Sequence, residues 1–364
     1  MKILGIETSC DETGVAIIDA NIKTKELKIL SNVVASSLAL HSKTGGIIPN
    51  IAAREQVKYM IPVIKEALSS TRGVDVQNPA GSIDVIAVTV GPGLIGSLLV
   101  GVETARTLAY VLKKPIVPVN HLIGHIYANF IRANPKSEIL NPKLNAKRYT
   151  LNANIEFPLI TLVVSGGHTD LVLMEKHGSI HWLGGTRDDA AGEAFDKIGR
   201  LLGIPYPAGA EIEKFAKNGN PKAFSFPRPM IGSKDYDFSF SGLKTAVLRE
   251  TLKNKNEKFS QRYIQDISAS SQQAIIDVLV SKTIKAAQQY KVRSILLGGG
   301  VAANQKLRDE FQLKIENLKL KIPFFCPEKR LCTDNAAMIA SAAFFNGKQE
   351  DWRNIIANPE LYFE

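Results

Sequence analysis

The stretch KILGIETSCDETGVAIID (Lys2–Asp19) contains two short apolar runs joined by a polar tip. KILGIE and GVAIID each have the length and composition of a strand, and the polar TSCDET between them is typical of a β-hairpin. The stretch FPLITLVVSGGHTDLVLME (Phe157–Glu175) repeats this design around the tip SGGHT. Both tips align as Ser-x-x-x-Thr, and such a repeat predicts a duplicated domain.

Apolar strands alternate with helical patterns between and after the two hairpins. IDVIAVTV (83–90) and PIVPV (115–119) predict strands, and SILLGGG (294–300) predicts a strand that leads into a helix. Helical periodicity is found in LIGSLLVGVETARTLAYVL, HLIGHIYANF, DDAAGEAFDKIGRLLG, SASSQQAIIDVLVSKTIKAAQQY, VAANQKLRDEF and DNAAMIASAAFFNG. This alternation predicts an α/β architecture with partly parallel sheets.

The composition favours a protein of the reducing cytoplasm that is not inserted in a membrane. The longest apolar runs are broken by proline and glycine before they reach the length of a membrane span, and the N-terminus has no signal-peptide pattern. Three scattered cysteines form neither a disulfide framework nor a zinc-ribbon spacing. The net charge of +10 favours a polyanionic partner, because basic side chains that neutralise phosphates release counterions.

Glycine clusters at predicted strand ends raise the question of a nucleotide site. They are Gly91-Pro-Gly93, Gly166-Gly167, Gly184-Gly185 and Gly298–Gly300. Glycine lets a backbone approach a phosphate closely, although each cluster is also explained by a tight turn. The chain has no P-loop motif. GGGVAA (298–303) fits a Rossmann fingerprint, but it lies near the end of the chain and lacks the expected acidic residue about 20 positions on.

His121 and His125 lie four residues apart in NHLIGHIYANF, so both imidazoles leave the same face of the predicted helix. They are candidate metal ligands. The alternatives are that one histidine caps the helix and that the other is half-buried with its hydrogen bonds satisfied.

A zinc peptidase needs the motif HExxH, in which glutamate activates the metal-bound water. Leu122 stands at that position here, which argues against a peptidase unless Glu12 serves from elsewhere.

Eight ordered motifs resemble one family across nearly the whole chain. They are GIETSCDETGVAI, GPGLIGSLLVG, HLIGHIYA, VSGGHTDL, DDAAGEAFDKIGRLLG, FSFSGLKTAV, LLGGGVAAN and CTDNAAMIA. In this order they resemble the tRNA N6-adenosine threonylcarbamoyltransferase family, called TsaD in bacteria.

The resemblance implies the ASKHA fold of actin, sugar kinases and heat-shock ATPases. Two duplicated RNase H-like domains would hold a nucleotide and a metal in the cleft between them. The expected first domain comprises residues 1–130 and about 331–364, because the final helix returns to it. The second domain is expected at about 157–330. Residues 131–156, rich in Asn, Lys, Arg and Pro, are expected to be an insertion or linker.

The implied reaction transfers a threonylcarbamoyl group from threonylcarbamoyl-AMP to N6 of adenosine 37 in tRNAs that read codons beginning with adenine, with release of AMP. The family implies one divalent metal per subunit, Fe2+ first and Zn2+ as the alternative. Its implied partners are tRNA, a TsaB-like paralogue and, in bacteria, a TsaE-like small ATPase, with neither membrane nor DNA. The base that removes the N6 proton stays open.

Site residues are transferred only where the family motifs match. His121, His125 and Asp334 match the metal ligands, although Asp334 is also explained as a residue at a helix start. Asp11 and Glu12 match the part of the family site that shapes the reactive phosphate end of the substrate. They are the candidate catalytic residues. The substrate-nucleotide contacts match Val163, Val164, Ser165, Gly166, Gly167, Asp196, Gly209, Glu213 and Asn304. Archaeal and eukaryotic relatives have a tyrosine metal ligand where this chain has Val163.

Two other functional classes are compatible with the same pattern. The paired hydroxyl-rich hairpins also fit a small-molecule kinase or ATPase of the ASKHA fold, which would act without tRNA. A non-catalytic, actin-like scaffold is the third alternative. Arg54, Lys58, Lys244 and the basic residues of 132–156 are candidate tRNA contacts, although any one of them is more simply explained as part of a solvated surface.

Overall fold

The computed structural model describes residues 1–131, 155–253 and 259–363. The chain divides into two compact units, with the bounds Met1–Asn152 and Pro327–Glu364 (unit 1), and Ala153–Cys326 (unit 2). The domain bounds expected from the sequence stay a prediction. The expected insertion at 131–156 falls largely on residues outside the described ranges.

Unit 1 contains a five-stranded mixed sheet in the order β3-β2-β1-β4-β5. The apolar hairpin of the N-terminal stretch forms as predicted, since β1 and β2 pair antiparallel from Lys2↔Asp19 to Glu7↔Gly14. Strands β4 and β5 continue the sheet in parallel with β1. The strands are β1 (Lys2–Glu7), β2 (Glu12–Ala20), β3 (Leu27–Ser36), β4 (Val85–Gly91) and β5 (Ile116–Asn120).

Unit 2 repeats this topology strand for strand. Its sheet has the order β10-β9-β6-β7-β8, with antiparallel β6, β7 and β8 and with β9 and β10 parallel to β6. The strands are β6 (Leu159–Val164), β7 (Thr169–Lys176), β8 (Ser179–Gly185), β9 (Ser294–Gly298) and β10 (Phe324–Phe325). The repeat inferred from the two hairpins is therefore a repeat of whole sheets.

Ten α-helices connect these strands within the described residues. They are α1 (Leu38–Thr44), α2 (Pro49–Ser69), α3 (Ile95–Leu112), α4 (His121–Tyr127), α5 (Ala191–Leu201), α6 (Gly209–Ala216), α7 (Ser241–Lys253), α8 (Gln261–Gln289), α9 (Gln305–Asn317) and α10 (Ala336–Asn346). Single-turn 3-10 segments occupy Pro79–Gly81, Ala128–Phe130, Gly300–Ala303, Lys329–Leu331 and Trp352–Asn354.

Helix α3 has the length and apolar composition of a membrane span, unlike the other helices in the described ranges. In this structure, one face of α3 packs in unit 1 through Leu98, Gly101, Val102 and Ala105. An added Cβ at Gly101 would overlap the Thr8 hydroxyl, so the helix lies directly against the first hairpin. One face of α3 is therefore buried in unit 1, and its opposite face is exposed.

Helix α10 packs unusually close to the first sheet, as its small residues predict. An added Cβ on Gly5 of β1 would overlap the carbonyl oxygen of Ala336, and one on Gly14 of β2 would lie 3.1 Å from the Ala336 nitrogen. Small residues on both sides let the backbones approach. This contact fixes the start of α10, and with it the residues that precede the helix.

Candidate functional site

Helix α4 begins directly at the end of β5 and has a well-formed cap. The Asn120 side-chain oxygen accepts hydrogen bonds from the backbone N–H groups of Leu122 (2.8 Å) and Ile123 (3.3 Å). His121 and His125 are buried on the same face, with ring centroids 4.6 Å apart and ring planes at 77°. The predicted same-face arrangement of the two imidazoles is therefore present.

Asp334 reaches the two histidines from the segment before α10. Its Oδ1 lies 3.5 Å from His121 Nε2 and 3.3 Å from His125 Nε2. The potential ligand atoms of the three residues lie within 4.8 Å of one another. The residue that caps α10 is Asn335, whose side chain accepts from the Met338 N–H at 3.1 Å. The cap belongs to the neighbouring asparagine, so it does not account for the position of Asp334.

A glycine between the two histidines allows α4 and α10 to meet. An added Cβ on Gly124 would lie only 2.8 Å from Ile339 Cδ1 of α10. The Ser341 hydroxyl of α10 donates to the Tyr127 carbonyl at the end of α4, at 2.8 Å. These contacts hold the helix that carries the imidazoles against the one that follows the carboxylate.

The chemistry of this cluster fits a divalent cation. Both ring nitrogens of His125 are buried: Nε2 faces Asp334 Oδ1 at 3.3 Å, and Nδ1 makes no hydrogen bond to a described residue. Burial also lowers the pKa of His125, which favours the neutral imidazole that metals bind. Two imidazoles and one carboxylate form a donor set that leaves coordination positions open to a substrate.

Glu7 is fully buried at the end of β1 and holds the first histidine in place. Its Oε2 lies 3.1 Å from His121 Nδ1 and accepts the Thr89 hydroxyl at 2.5 Å, while Oε1 accepts the Ser9 N–H at 2.6 Å. Burial lowers the pKa of His121, but the charges of Glu7 and Asp334 outweigh it and raise the pKa to about 9. With Nδ1 facing Glu7, His121 Nε2 is directed towards Asp334.

The tip of the first hairpin adds two acidic residues beside this cluster. Burial, together with the charges of Asp334 and Asp11, raises the pKa of Glu12 to about 10. Gln56 of α2 holds the tip by donating to the carbonyls of Thr8, Cys10 and Glu12. The carboxyl groups of Glu7, Asp11, Glu12 and Asp334 thus share one region, and a bound cation would offset their mutual repulsion.

The residues predicted to contact the nucleotide all belong to unit 2. Val163 and Val164 are fully buried at the end of β6. Ser165 starts a tight turn, in which its N–H donates to the His168 carbonyl (2.8 Å) and its hydroxyl accepts the His168 N–H (3.1 Å). An added Cβ at Gly166 or Gly167 would meet no described atom within 4 Å, so this turn is open to an approaching ligand.

Asp196 and Gly209 are linked through the start of α6. The Asp196 carboxylate accepts the Ala208 N–H at 2.7 Å and also bonds the Gly209 backbone, while burial raises its pKa. Gly209 itself has open space at its Cβ position among the described atoms. Asp196 therefore fixes the helix end at which Gly209 lies.

Glu213 and Asn304 meet at the start of α9. Glu213 Oε1 accepts the Gln305 N–H at 3.0 Å, and Asn304 caps the helix by accepting the Leu307 N–H at 3.0 Å. Asn304 also donates to Gln272 Oε1 at 2.9 Å. Both side chains have clear structural roles, and their contact with a nucleotide stays a prediction.

The turn after β9 needs glycine at one position only. Gly299 has φ +91°, and an added Cβ would overlap the Val164 carbonyl, whereas Gly300 has open space.

We expect Gly299→Ala to lower the free energy of unfolding by more than about 1 kcal/mol, since both the backbone conformation and the packing oppose a side chain. Urea denaturation measures the difference. Gly300→Ala is the matched control, with an expected change within about 0.5 kcal/mol, and equal losses in both variants would contradict the assignment.

The basic residues proposed as tRNA contacts have different surroundings. Arg54 is exposed, whereas Lys58 pairs with Glu55 on the same helix. Lys244 donates to Asp189 at 3.1 Å, and Asp189 also binds Lys197 at 2.6 Å. Lys244 therefore joins two of the quoted motifs within unit 2.

Sequence patterns missed Glu7, Thr89 and Gln56, which support the cluster of His121, His125 and Asp334 and the acidic tip. One signal for Glu7 was available: it is an acidic residue at the end of an apolar strand, where burial would require a partner. Its partner His121 lies 114 residues further along the chain, so no local pattern identifies the pair.

Comparisons with known proteins give one consistent result. A family model described as tRNA N6-adenosine threonylcarbamoyltransferase (TsaD) matches residues 28–341. Proteins of that name from Moorella thermoacetica and Geobacillus thermodenitrificans are each 46% identical over 362 residues, covering 99% of this chain and 96% of theirs. One from Symbiobacterium thermophilum is 47% identical over 343 residues, covering 94% and 91%.

Solved structures support the fold class. Full-length HypF in its phosphate- and nucleotide-bound form matches with a TM-score of 0.57 at 13% identity, over 94% of this chain and 55% of that one. HypF from T. kodakarensis matches with a TM-score of 0.54 at 15% identity, over 94% and 47%. Together with the two matching sheets, these similarities confirm the α/β prediction of an ASKHA fold.

Proposed function

The chain belongs to the tRNA N6-adenosine threonylcarbamoyltransferase family, and on that premise we propose how its residues serve the reaction. The protein is an acyltransferase that moves a threonylcarbamoyl group from threonylcarbamoyl-AMP to N6 of adenosine 37 of tRNA, releasing AMP. The observation that carries the proposal is the convergence of His121, His125 and Asp334, whose ligand atoms lie within 4.8 Å of one another.

These three residues are proposed to hold one divalent cation. When bound, the cation supplies Lewis acidity that polarises the acyl-phosphate and offsets negative charge as AMP leaves. We propose iron, with zinc as the alternative, because two histidines and one carboxylate with open positions suit ferrous iron. Metal analysis of protein purified without oxygen tests this identity, and zinc alone at one equivalent would reject iron.

The first hairpin tip is proposed to shape the reacting end of the substrate. Adenosine N6 is conjugated with its ring and is a poor nucleophile, so the amine and the carbonyl need close alignment. Asp11, Glu12 and a phosphate oxygen of the substrate are the candidates for accepting the N6 proton. Burial and the charges of Asp334 and Asp11 raise the pKa of Glu12 to about 10, and a cation bound beside these carboxyl groups would lower that pKa and so let Glu12 act as a base.

Unit 2 is proposed to bind the AMP portion of the substrate. At Gly166 and Gly167 the turn has no side chain that would obstruct a ligand, so a phosphate could approach the backbone there. Gly209 offers the same access at the start of α6. Glu213 and Asn304 are proposed to complete this site, with Val163 and Val164 as its apolar base.

One reconstitution tests the activity. Purified protein, its partner proteins, threonylcarbamoyl-AMP and unmodified tRNA should yield the modified nucleoside and a matching amount of AMP. AMP release that does not depend on tRNA, or no modified nucleoside at all, would count against the proposal. Phosphorylation of a metabolite without tRNA would instead favour the kinase alternative.

A TsaB-like paralogue is the proposed partner of unit 1. Val57 and Ile61 of α2, and Ile95 and Leu99 of α3, are apolar and between 45% and 63% exposed. Positions four apart share a helix face, and Gly96 of α3 approaches Ala53 of α2, so the two helices are neighbours there. A partner with the same fold can pair equivalent helices across such a face. A TsaE-like ATPase is proposed as the third component.

Replacing an exposed apolar residue on this face by aspartate should weaken the paralogue complex. We expect Ile61→Asp to raise the dissociation constant at least about 30-fold, because a charge would be buried without a partner. Analytical ultracentrifugation or calorimetry measures the change. Ile22→Asp, at a 61% exposed site in the β2–β3 turn, is the control and should bind like the wild type. Equal binding by Ile61→Asp would exclude this face.

The cellular setting follows from the substrate. tRNA is the polyanion that the net charge of +10 favours, and a cytoplasmic location is proposed. Arg54, which is exposed on α2, is a proposed tRNA contact.

A further inference from the structure

Residues Asn358–Tyr362, here called segment 358–362, cross the carboxyl ends of β4 and β5. The Asn358 N–H donates to the Val90 carbonyl at 2.7 Å, and the Pro359 carbonyl accepts the Gly93 N–H at 3.3 Å. The Tyr362 carbonyl accepts a hydrogen bond from Asn120 Nδ2 at 2.9 Å. The segment is therefore bonded to the turn after β4 and to the residue that starts the histidine helix.

Asn120 uses both ends of its side-chain amide. The oxygen caps α4 through Leu122 and Ile123, while the NH2 group donates to Tyr362. An amide with donor and acceptor both engaged has one favourable orientation. Since His121 is the first residue of α4, a shift of this cap would move a metal-ligand candidate directly.

The turn Gly91–Gly93 lies between segment 358–362 and the acidic hairpin tip. An added Cβ on Gly91 would overlap the Asn358 carbonyl, and one on Gly93 would lie 2.5 Å from the Ser9 carbonyl. The Leu94 N–H also donates to that Ser9 carbonyl at 2.8 Å. Backbone thus contacts backbone on both sides of the turn, and a displacement of segment 358–362 would reach the tip as well as the helix.

We propose that Asn120 and segment 358–362 are positioning elements of the metal centre, which hold α4 and the acidic tip in their working arrangement. This inference rests on the proposed metal site. Segment 358–362 lies beyond residues 28–341, the part matched by the family model. Residues that orient metal ligands through hydrogen bonds control affinity and geometry, although they never touch the metal.

Asn120→Ser separates the two roles of the side chain. Serine is an effective N-cap, so α4 keeps its start, but its side chain is too short to reach the Tyr362 carbonyl. Asn21→Ser is the matched control, because the Asn21 oxygen likewise accepts two backbone N–H groups, from Lys23 and Thr24, in the β2–β3 turn. Both full-length proteins are titrated with Co2+, with visible absorption reporting affinity and coordination geometry.

We expect Asn120→Ser to bind Co2+ about tenfold more weakly, with an altered visible spectrum. Hydrogen exchange in the metal-free protein should be faster at the Gly93 and Asn358 amides, whereas Asn21→Ser should match the wild type in every measurement. Unchanged affinity, spectrum and exchange in Asn120→Ser would overturn the inference. If the wild type itself takes up no cobalt, the proposed metal site fails and this inference falls with it.

Discussion

His125→Ala is expected to leave the protein without its bound metal and to reduce formation of the modified nucleoside by roughly a hundredfold or more. In the proposed site His125 is one of three converging ligands, and both of its ring nitrogens are buried. A metal that acts as a Lewis acid contributes several kcal/mol, and each 1.4 kcal/mol corresponds to about a factor of ten in rate. Metal content and nucleoside analysis by mass spectrometry measure the two losses.

Two further variants separate loss of metal from loss of folding. Asp334→Asn keeps the shape of the side chain and removes its charge, so it should lose metal and activity with little change in melting temperature. His41→Ala removes another fully buried histidine of unit 1, which bonds Ser37 and the Ile48 N–H instead of facing the cluster. His41→Ala should lose stability and keep its metal. Full activity in Asp334→Asn with no bound metal would contradict the proposed site.

The fold was predictable where burial gives a local pattern. β4 and β9 are buried at every position, and the apolar runs of β1, β2, β6 and β7 mark them as strands. The edge strands β3 and β8 are not among the elements that these runs predict, because many of their residues are partly or fully exposed. Their polar side chains interrupt the pattern, and their position is set by pairing with the neighbouring strand.

The positions of many helices were predictable, but the residues at which they begin and end were less so. α2 is absent from the predicted elements, although it runs from Pro49 to Ser69 with Pro62 inside it. Helix α9 starts at Gln305, after a 3-10 turn, since Asn304 caps it by accepting the Leu307 N–H. Helix α8 begins at Gln261, earlier than the apolar pattern suggests, because Ser260 provides its cap. Tertiary packing and capping decide these ends.

The candidate site was only partly accessible from the sequence. The spacing of His121 and His125 follows from helical geometry, and the structure brings the pair together with Asp334. Asp334 came from family resemblance, since no local pattern connects it with a histidine more than 200 positions earlier. The support from Glu7 could not be found by either route, because its partners, Thr89 of β4 and His121 of α4, lie 82 and 114 residues further along the chain.

The two units use one topology for two kinds of chemistry. The tip between β1 and β2 contains Asp11 and Glu12, and the equivalent tip between β6 and β7 contains Gly166 and Gly167. The first tip concentrates negative charge and so favours a cation, whereas the exposed glycines of the second tip would let an anion approach the backbone. A duplicated scaffold with divergent tips is thus suited to a reaction that needs both a metal and a bound phosphate.

Glu7→Gln is expected to weaken metal binding by about 10- to 100-fold, although Glu7 is not itself a ligand in the proposed site. The carboxylate faces three groups: the Ser9 N–H, the Thr89 hydroxyl and His121 Nδ1. A glutamine offers one acceptor and one donor, so at least one of these groups loses its acceptor. Without this acceptor, the proton of His121 is no longer held on Nδ1. Nε2 is then no longer kept unprotonated and free to bind a cation. Competition with a chelator measures the affinity.

Two comparison variants and one stability measurement make the Glu7 prediction specific. Thr89→Val removes one partner of Glu7 while leaving its contact with His121, and should weaken metal binding less than Glu7→Gln does. Glu103→Gln makes the same change on the surface of α3, where Glu103 pairs with Arg106, and should bind metal like the wild type. A buried group left without its partner costs about 1–3 kcal/mol, so Glu7→Gln should also melt earlier. Lower stability with unchanged metal affinity would show that Glu7 supports the fold of unit 1 and does not orient His121.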